Sequence, residues 1–271
     1  MTAVPTGRLG PDAVGAIARL CRRALPEEDL TEPELHSALF GGEAAAVVRG
    51  DPEVGVVAAV RRRGEAYIRL LAVDPAHRRR GVATALMDAA EADLAGAGSV
   101  TVGADAPDYL FPGVDVRSTE MLCLLEARRY RRVETNLNMG VDLTALPPAP
   151  GTSIDDVDRD ELAAWMEKHW PHWADEALRG RERGTLLVSR DGEGISGFCA
   201  WDVNRGGWLG PIAVRPSDVG RRTGVGLLLD ALHRMRASGR DRAEIAWISP
   251  VRFYVRTVGA GVSRVFVVHR R

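Results

Sequence analysis

Apolar positions in this chain fall first into a helical period, then into short strand-like runs, and the whole alternation occurs twice. Near the start, Val14, Ile17, Cys21 and Ala24 line one helical face. Thr31 and Glu34 have capping-box spacing for a second helix. Strand-like runs follow at Ala44–Arg49, Val54–Arg61 and Ala66–Val73. A loop, Asp74-Pro75-Ala76-His77, leads to a long helix from about Gly81 to Leu94 and a strand at Ser99–Gly103. The second half repeats the order. Leu162, Trp165, Met166 and His169 share a helical face, and strands are expected at Thr185–Arg190, Ile195–Val203 and Trp208–Val214. A loop with Pro216, a helix over Thr223–Ala237 and a strand at Ala243–Ser249 complete it. The pattern predicts an α/β fold, a mixed sheet with the longest helix of each half between two strands.

Between the halves lies Leu146-Pro147-Pro148-Ala149-Pro150-Gly151, which can continue neither a helix nor a central strand. It predicts two domains, 1–145 and 152–271. A shift of 143 superimposes the long helices, with Val82, Ala85, Leu86, Ala89 and Ala92 falling on Val225, Leu228, Leu229, Leu232 and Met235. In that register the preceding loop is two residues longer in the second copy. The halves read as a tandem repeat.

Composition narrows the class. The 271 residues are 45% hydrophobic and 27% charged, which is globular usage. A net charge of −1 supplies no global field for nucleic acid or anionic lipid, so neither is expected as a partner. Cys21, Cys123 and Cys199 are isolated and odd in number, predicting small apolar core residues rather than a metal site or disulfide framework. The first residues lack a signal-like apolar stretch and no run reaches membrane-span length, so a cytoplasmic protein, monomer or homodimer, is the expectation.

The chemistry gathers at the strand–loop–helix junction of each half. The first reads Val73-Asp-Pro-Ala-His-Arg78-Arg79-Arg80-Gly81-Val82-Ala83-Thr84. The second reads Val214-Arg-Pro-Ser-Asp-Val-Gly220-Arg221-Arg222-Thr223-Gly224-Val225-Gly226-Leu227. Glycine at a helix start lets the backbone approach an anion, and the unpaired N–H groups of the first turn favour negative charge. Neighbouring guanidinium groups add charge-assisted hydrogen bonds to phosphate oxygens. The spacing matches neither G-x-x-x-x-G-K-[ST] nor the dinucleotide fingerprint.

Arg78-x-x-Gly81-x-Ala83 and Arg221-x-x-Gly224-x-Gly226 resemble the [Q/R]-x-x-G-x-[G/A] acetyl-CoA motif of the GCN5-related N-acetyltransferases. The resemblance covers nearly the whole chain as two such domains, as in tandem members of that family that act on amino sugars. It implies that the fourth strand splays from the fifth and pairs along its free edge with pantetheine. Ile212, Ala213 and Val214, and in the first half Leu71, Ala72 and Val73, would then offer backbone groups to it. The pyrophosphate would rest on Arg221–Leu227 and on Arg78–Thr84, with no metal required. The reaction implied is transfer of an acetyl or other short acyl group from acetyl-CoA to a primary amine of a small molecule.

In the same family a tyrosine in a phrase like F-Y-x-x-x-G commonly protonates the leaving thiolate. Phe253-Tyr254-Val-Arg-Thr-Val-Gly259 carries Tyr254 as that candidate, whereas the first half has Leu125 there. Tyr109 is the nearby candidate substitute. The expectation is therefore a working second half and a first half that binds CoA yet catalyses poorly. The fourth strand of the second half lacks the usual carboxylate, leaving Asp202 as a weak candidate base. His169-Trp170-Pro171-His172-Trp173 could stack on an acceptor or pack in a core. Trp201, Trp208 and Trp247 read as core. A non-catalytic acyl-CoA sensor and a protein N-acetyltransferase remain alternatives.

Overall fold

The computed structural model describes residues 4–41, 44–62 and 64–271. The chain divides into two compact units, Met1–Asn136 with Phe266–Arg271, and Leu137–Val265.

In chain order the elements of the first half are β1 (Arg8–Leu9), α1 (Val14–Ala24), α2 (Glu32–Phe40), β2 (Val47–Asp51), β3 (Gly55–Arg62) and β4 (Glu65–Val73). They continue with α3 (Val82–Asp93), β5 (Val100–Val102), β6 (Val114–Asp115), α4 (Thr119–Ala127) and β7 (Arg131–Asp142). The second half holds α5 (Arg159–His169), α6 (Ala174–Glu182), β8 (Leu186–Asp191), β9 (Gly194–Trp201), β10 (Trp208–Val214), α7 (Thr223–Ala237), β11 (Arg242–Ile248), α8 (Val251–Val258) and β12 (Gly261–Arg270).

The first unit orders its strands β1-β2-β3-β4-β5, followed by the last residues of β12. Every neighbouring pair from β1 to β4 is antiparallel and β4–β5 is parallel. Alternation along β3 sends Val56 and Ala58 to the core under α1 and α2, and Val57 and Ala59 to the core under α3. On β4, Ile68 belongs to the second of these cores and Leu70 to the first. Two residues apart on a regular strand would share a face. The reversal comes from a bulge: Ala58 pairs with Leu70 and Ala59 with Ile68, leaving Arg69 as the inserted residue. Thr31 and Glu34 do form the expected capping box, and the Thr31 N–H donates to Glu34 Oε2 at 2.8 Å.

The second unit repeats the plan, with β8, β9 and β10 antiparallel and β10–β11 parallel. A bulge interrupts β10 between Leu209 and Ile212.

The compact units do not divide at the proline-rich stretch. Leu137–Asp142 of β7 pairs antiparallel with β11 inside the second unit. Phe266–Arg270 of β12 pairs with β6 and β5 inside the first. Each strand satisfies its backbone groups in the sheet it joins, and that pairing outranks proximity in sequence. The prolines instead lie within the second unit, where the Asp230 carboxylate accepts N–H bonds from Gly151, Thr152 and Ser153 at 2.8, 3.1 and 2.9 Å.

The repeat register also differs from the expected one. Buried Leu86, Met87, Ala90 and Leu94 of α3 correspond to buried Leu227, Leu228, Ala231 and Met235 of α7, a constant shift of 141. Pro75 and Pro216 both open a short 3-10 turn, and a left-handed residue precedes each long helix: Gly81 at φ 81° and Arg222 at φ 68°. There is no two-residue loop insertion. Burial selects the shift of 141. By position Arg222 stands where Gly81 stands, and Val219 where Arg78 stands.

Candidate functional site

In the first unit β4 outruns its parallel neighbour. Pairing with β5 reaches only Ile68↔Val102, with a last bond from the Gly103 N–H to the Ile68 carbonyl at 3.0 Å. The Asp74 N–H donates to the Val54 carbonyl at 3.0 Å. That bond fixes the ladder phase: Ala72 and Asp74 face β3, while N–H and C=O of Leu71 and Val73 face the vacated edge. Of the three expected backbone positions, Leu71 and Val73 present groups there and Ala72 does not.

This edge forms one wall of a cavity of about 890 Å³. Its floor is the start of α3, Gly81 to Thr84, with His77, Arg78 and Arg79 beside it. Arg80 is exposed and does not line it. Gly81 adopts the left-handed conformation that a Cβ would strain, so Val82, Ala83 and Thr84 turn N–H groups outward at the positive end of the helix. Within the helix the first of these bonds is made by the Ala85 N–H, to the Gly81 carbonyl at 3.0 Å. Arg78 donates from Nη2 to the Ala24 carbonyl at 3.0 Å, and its Nη1 lies 3.6 Å from Glu120. The preceding turn is pinned by Asp74, which accepts from Arg23 Nε at 2.6 Å and from the Ala76 N–H at 2.9 Å. The Arg23 bond holds its carboxyl below the usual range. Leu25, Pro26, Phe111 and Val114 also line the cavity, together with Glu27 and Glu28.

The second unit's junction is closed by its own side chains. The Arg215 N–H donates to the Ser196 carbonyl at 2.7 Å, so by the same alternation Ile212 and Val214 face the edge that β11 leaves after Leu209↔Ile245. There the Val214 carbonyl accepts the Trp170 indole N–H at 3.1 Å. A Cβ on Gly224 would meet the Phe253 ring at 3.6 Å, and one on Gly226 would meet Pro150 at 3.4 Å. Arg222 occupies the left-handed cap, at a cost of roughly 1–2 kcal/mol for a residue with a Cβ. The Val225 and Gly226 N–H groups both bond the Arg222 carbonyl, at 3.0 and 3.1 Å. Arg221 is exposed and reaches Asp218 at 3.0 Å, and Thr223 opens α7. Leu227 is fully buried.

Tyr254 is 5% exposed, in a core that includes Cys199 and Leu228. Burial pushes its phenol well above the ordinary range. Leu125 is buried at the matching place on α4. Tyr109 is buried and is not among the cavity-lining residues. Asp202 is tied into a turn, accepting from the Gly207 N–H at 2.6 Å and pairing with Arg240 at 3.0 Å. Trp170 and Trp173 stack at 5.3 Å. Trp201 and Trp208 are core, whereas Trp247 is half-buried. Cys21 and Cys199 are core thiols and burial raises the first to about 12, but Cys123 is exposed on α4 and lines the cavity. Among the lining residues that the sequence reading did not place at the site are Cys123, which it placed in a core, and Arg69. The available signal for Arg69 was a single guanidinium in an otherwise apolar strand.

Among the described residues no helix is long and apolar enough to cross a membrane, and no cluster of His, Cys, Asp or Glu could hold a metal ion.

A splayed parallel strand with an open edge, followed by a left-handed glycine at an arginine-rich helix start, is an arrangement of the GNAT fold. Residues 15–108 match the Acetyltransferase (GNAT) family profile. Over 257 residues the chain is 28% identical to a mycothiol acetyltransferase of Clavibacter sepedonicus, covering 87% of this chain and 83% of that protein. The fold is shared with a GCN5-related N-acetyltransferase from Sphaerobacter thermophilus at a TM-score of 0.71 and 21% identity, over 98% of this chain and 94% of that one. A tandem GNAT protein from the clavulanic acid biosynthesis pathway also aligns at 0.71, with 15% identity over 99% and 98% of the two chains.

Proposed function

We propose that this acyltransferase moves an acetyl or other short acyl group from CoA to a primary amine on a small molecule, with the CoA seated in the first unit. The observation that carries this reading is the cavity that joins the free β4 edge to the Gly81 helix start. Those residues fit the cosubstrate by their chemistry. Outward N–H groups and Arg78 and Arg79 suit a diphosphate, and alternating edge groups on Leu71 and Val73 suit the amides of pantetheine. In the transfer, the neutral amine nitrogen attacks the thioester carbonyl carbon, the C–S bond breaks, and the proton that the attacking nitrogen gives up balances the one taken by the departing thiolate. The Leu71 N–H supplies a donor for the oxyanion that forms on the carbonyl oxygen. The name of the similar Clavibacter protein puts mycothiol-related amines first in an acceptor panel, followed by amino sugars, aminoglycosides and amino-acid amines.

A second reading keeps the chemistry in the second unit, with Tyr254 as the acid. The Phe253-Tyr254 phrase ending at left-handed Gly259 supports it. It requires the Trp170 indole to leave the Val214 carbonyl before pantetheine could pair there. Calorimetry with CoA on Gly81→Glu and Gly224→Glu separates the two readings, since each predicts that a different variant loses binding.

A further inference from the structure

Arg69, the residue inserted by the β4 bulge, has no opposite number on β3. Its side chain is 0% exposed. Nε donates to Asp105 Oδ2 at 2.7 Å, Nη2 donates to the same oxygen, and Nη1 donates to the Ala38 carbonyl. Asp105 follows β5 by three residues, and its second oxygen lies 3.8 Å from Arg62 Nε. One guanidinium therefore ties the bulged residue to the end of α2 and to the loop that carries β5 away.

A buried pair of this kind is a weak source of stability, because desolvation consumes most of its attraction and apolar replacements of both partners are often neutral or better. Its location is specific. The last β4–β5 pair is Ile68↔Val102, Arg69 comes next, and Leu71, whose N–H faces the cavity, is two residues further. The bulge also reverses which face Leu70 presents. Without it the alternation beyond Ile68 would be out of phase with the cavity.

We propose that Arg69 is a positioning residue for acyl transfer: its clamp on Asp105 and Ala38 holds the bulge, and the bulge holds the Leu71 N–H at the thioester. This rests on the first-unit reading of the cosubstrate site. The diphosphate seat at Gly81–Thr84 lies beyond the clamp and does not depend on it.

The test compares Arg69→Met, Arg69→Lys and the double variant Arg69→Met/Asp105→Leu for melting temperature, CoA affinity by calorimetry, and kcat by thiol release with the best amine of the panel. Arg69→Met melts lower, because it strands a buried carboxylate. The double variant regains the melting temperature and binds CoA within about threefold of wild type, yet keeps a kcat about 30-fold down, since misplacing an oxyanion donor forfeits much of its roughly 10²–10³-fold value. Recovery of kcat together with stability in the double variant overturns the proposal. Should that variant not fold, Arg69→Lys decides. It keeps the charge but cannot span both partners, so kcat falls at unchanged CoA affinity, and an unchanged kcat overturns the proposal. Failure of the wild-type protein to bind CoA would instead refute the first-unit reading, and the clamp's proposed role would fall with it.

Discussion

Replacing Gly81 by glutamate places a carboxylate and a Cβ at the left-handed residue that opens α3. The carboxylate would sit about 5 Å from a diphosphate on the exposed helix start. At an effective dielectric of about 40, intermediate between surface and bulk values, each phosphate charge costs about 1.7 kcal/mol, or about 3 kcal/mol for two. The left-handed backbone strain, roughly 1–2 kcal/mol, falls on the folded state with or without ligand and lowers melting temperature rather than affinity. The expected outcome is CoA binding weakened about 100-fold, since each 1.4 kcal/mol is a factor of about ten. Gly81→Asn controls for the backbone, because asparagine tolerates that conformation and adds no charge, and it retains affinity within about threefold. Gly224→Glu faces Phe253 and Val214 rather than an open cavity and leaves CoA affinity unchanged. Titration calorimetry reads all three. Wild-type affinity in Gly81→Glu, or loss of binding confined to Gly224→Glu, refutes the assignment of the seat to the first unit.

Cys123 is exposed and lines the cavity, so a maleimide should alkylate it and saturating CoA should slow that reaction at least about fivefold, as read by mass spectrometry. Tyr254→Phe is expected to leave turnover within about threefold and to cost under about 1.5 kcal/mol of stability, the scale of one hydrogen bond; a turnover loss of 100-fold supports the second-unit reading instead. Asp93 accepts a two-pronged bond from Arg49, at 2.5 and 2.8 Å, which holds its carboxyl below the usual range. Its stabilisation is therefore complete above the unfolded pKa of about 3.9 and is lost as the pH falls through the lower folded value. Asp93→Asn should lower the melting temperature at neutral pH and flatten its fall on acidification, and an unaltered acid limb would remove the pair from the stability balance.

Much of the fold was legible because its periodicities are strong. The α7 range, the Thr31–Glu34 cap and the order of strands around each long helix follow from local pattern. Strand partnership does not. Phe266–Arg270 alternates like any strand, and nothing local says that it pairs with β5 and β6 of the first unit. The repeat register failed for a related reason. The shared Arg-x-x-Gly letters favour a shift of 143, whereas burial puts Leu227 and Leu228 in the places of Leu86 and Met87. The site was half legible. Leu71, Val73, Arg78, Arg79 and Gly81–Thr84 do meet at one cavity. The bulge beside that edge inserts Arg69, whose carboxylate partner Asp105 lies 36 residues away in sequence.

The two copies differ where folding and binding make different demands. Packing a helix on a sheet needs only the buried stripe, and both copies keep it. An anion seat needs more: a residue that accepts a left-handed backbone without a Cβ, N–H groups directed outward, and a strand edge left to a ligand. Each is a liability for stability alone. The second copy removes them one at a time. The Trp170 indole satisfies the Val214 carbonyl, the aromatic ring of Phe253 covers Gly224, and the Val225 N–H turns back onto Arg222. Only Arg222 itself runs against this trend, accepting backbone strain that glycine would avoid. The first copy retains all three liabilities around one cavity, and the proposed diphosphate seat rests on that combination rather than on the motif letters, which both copies share.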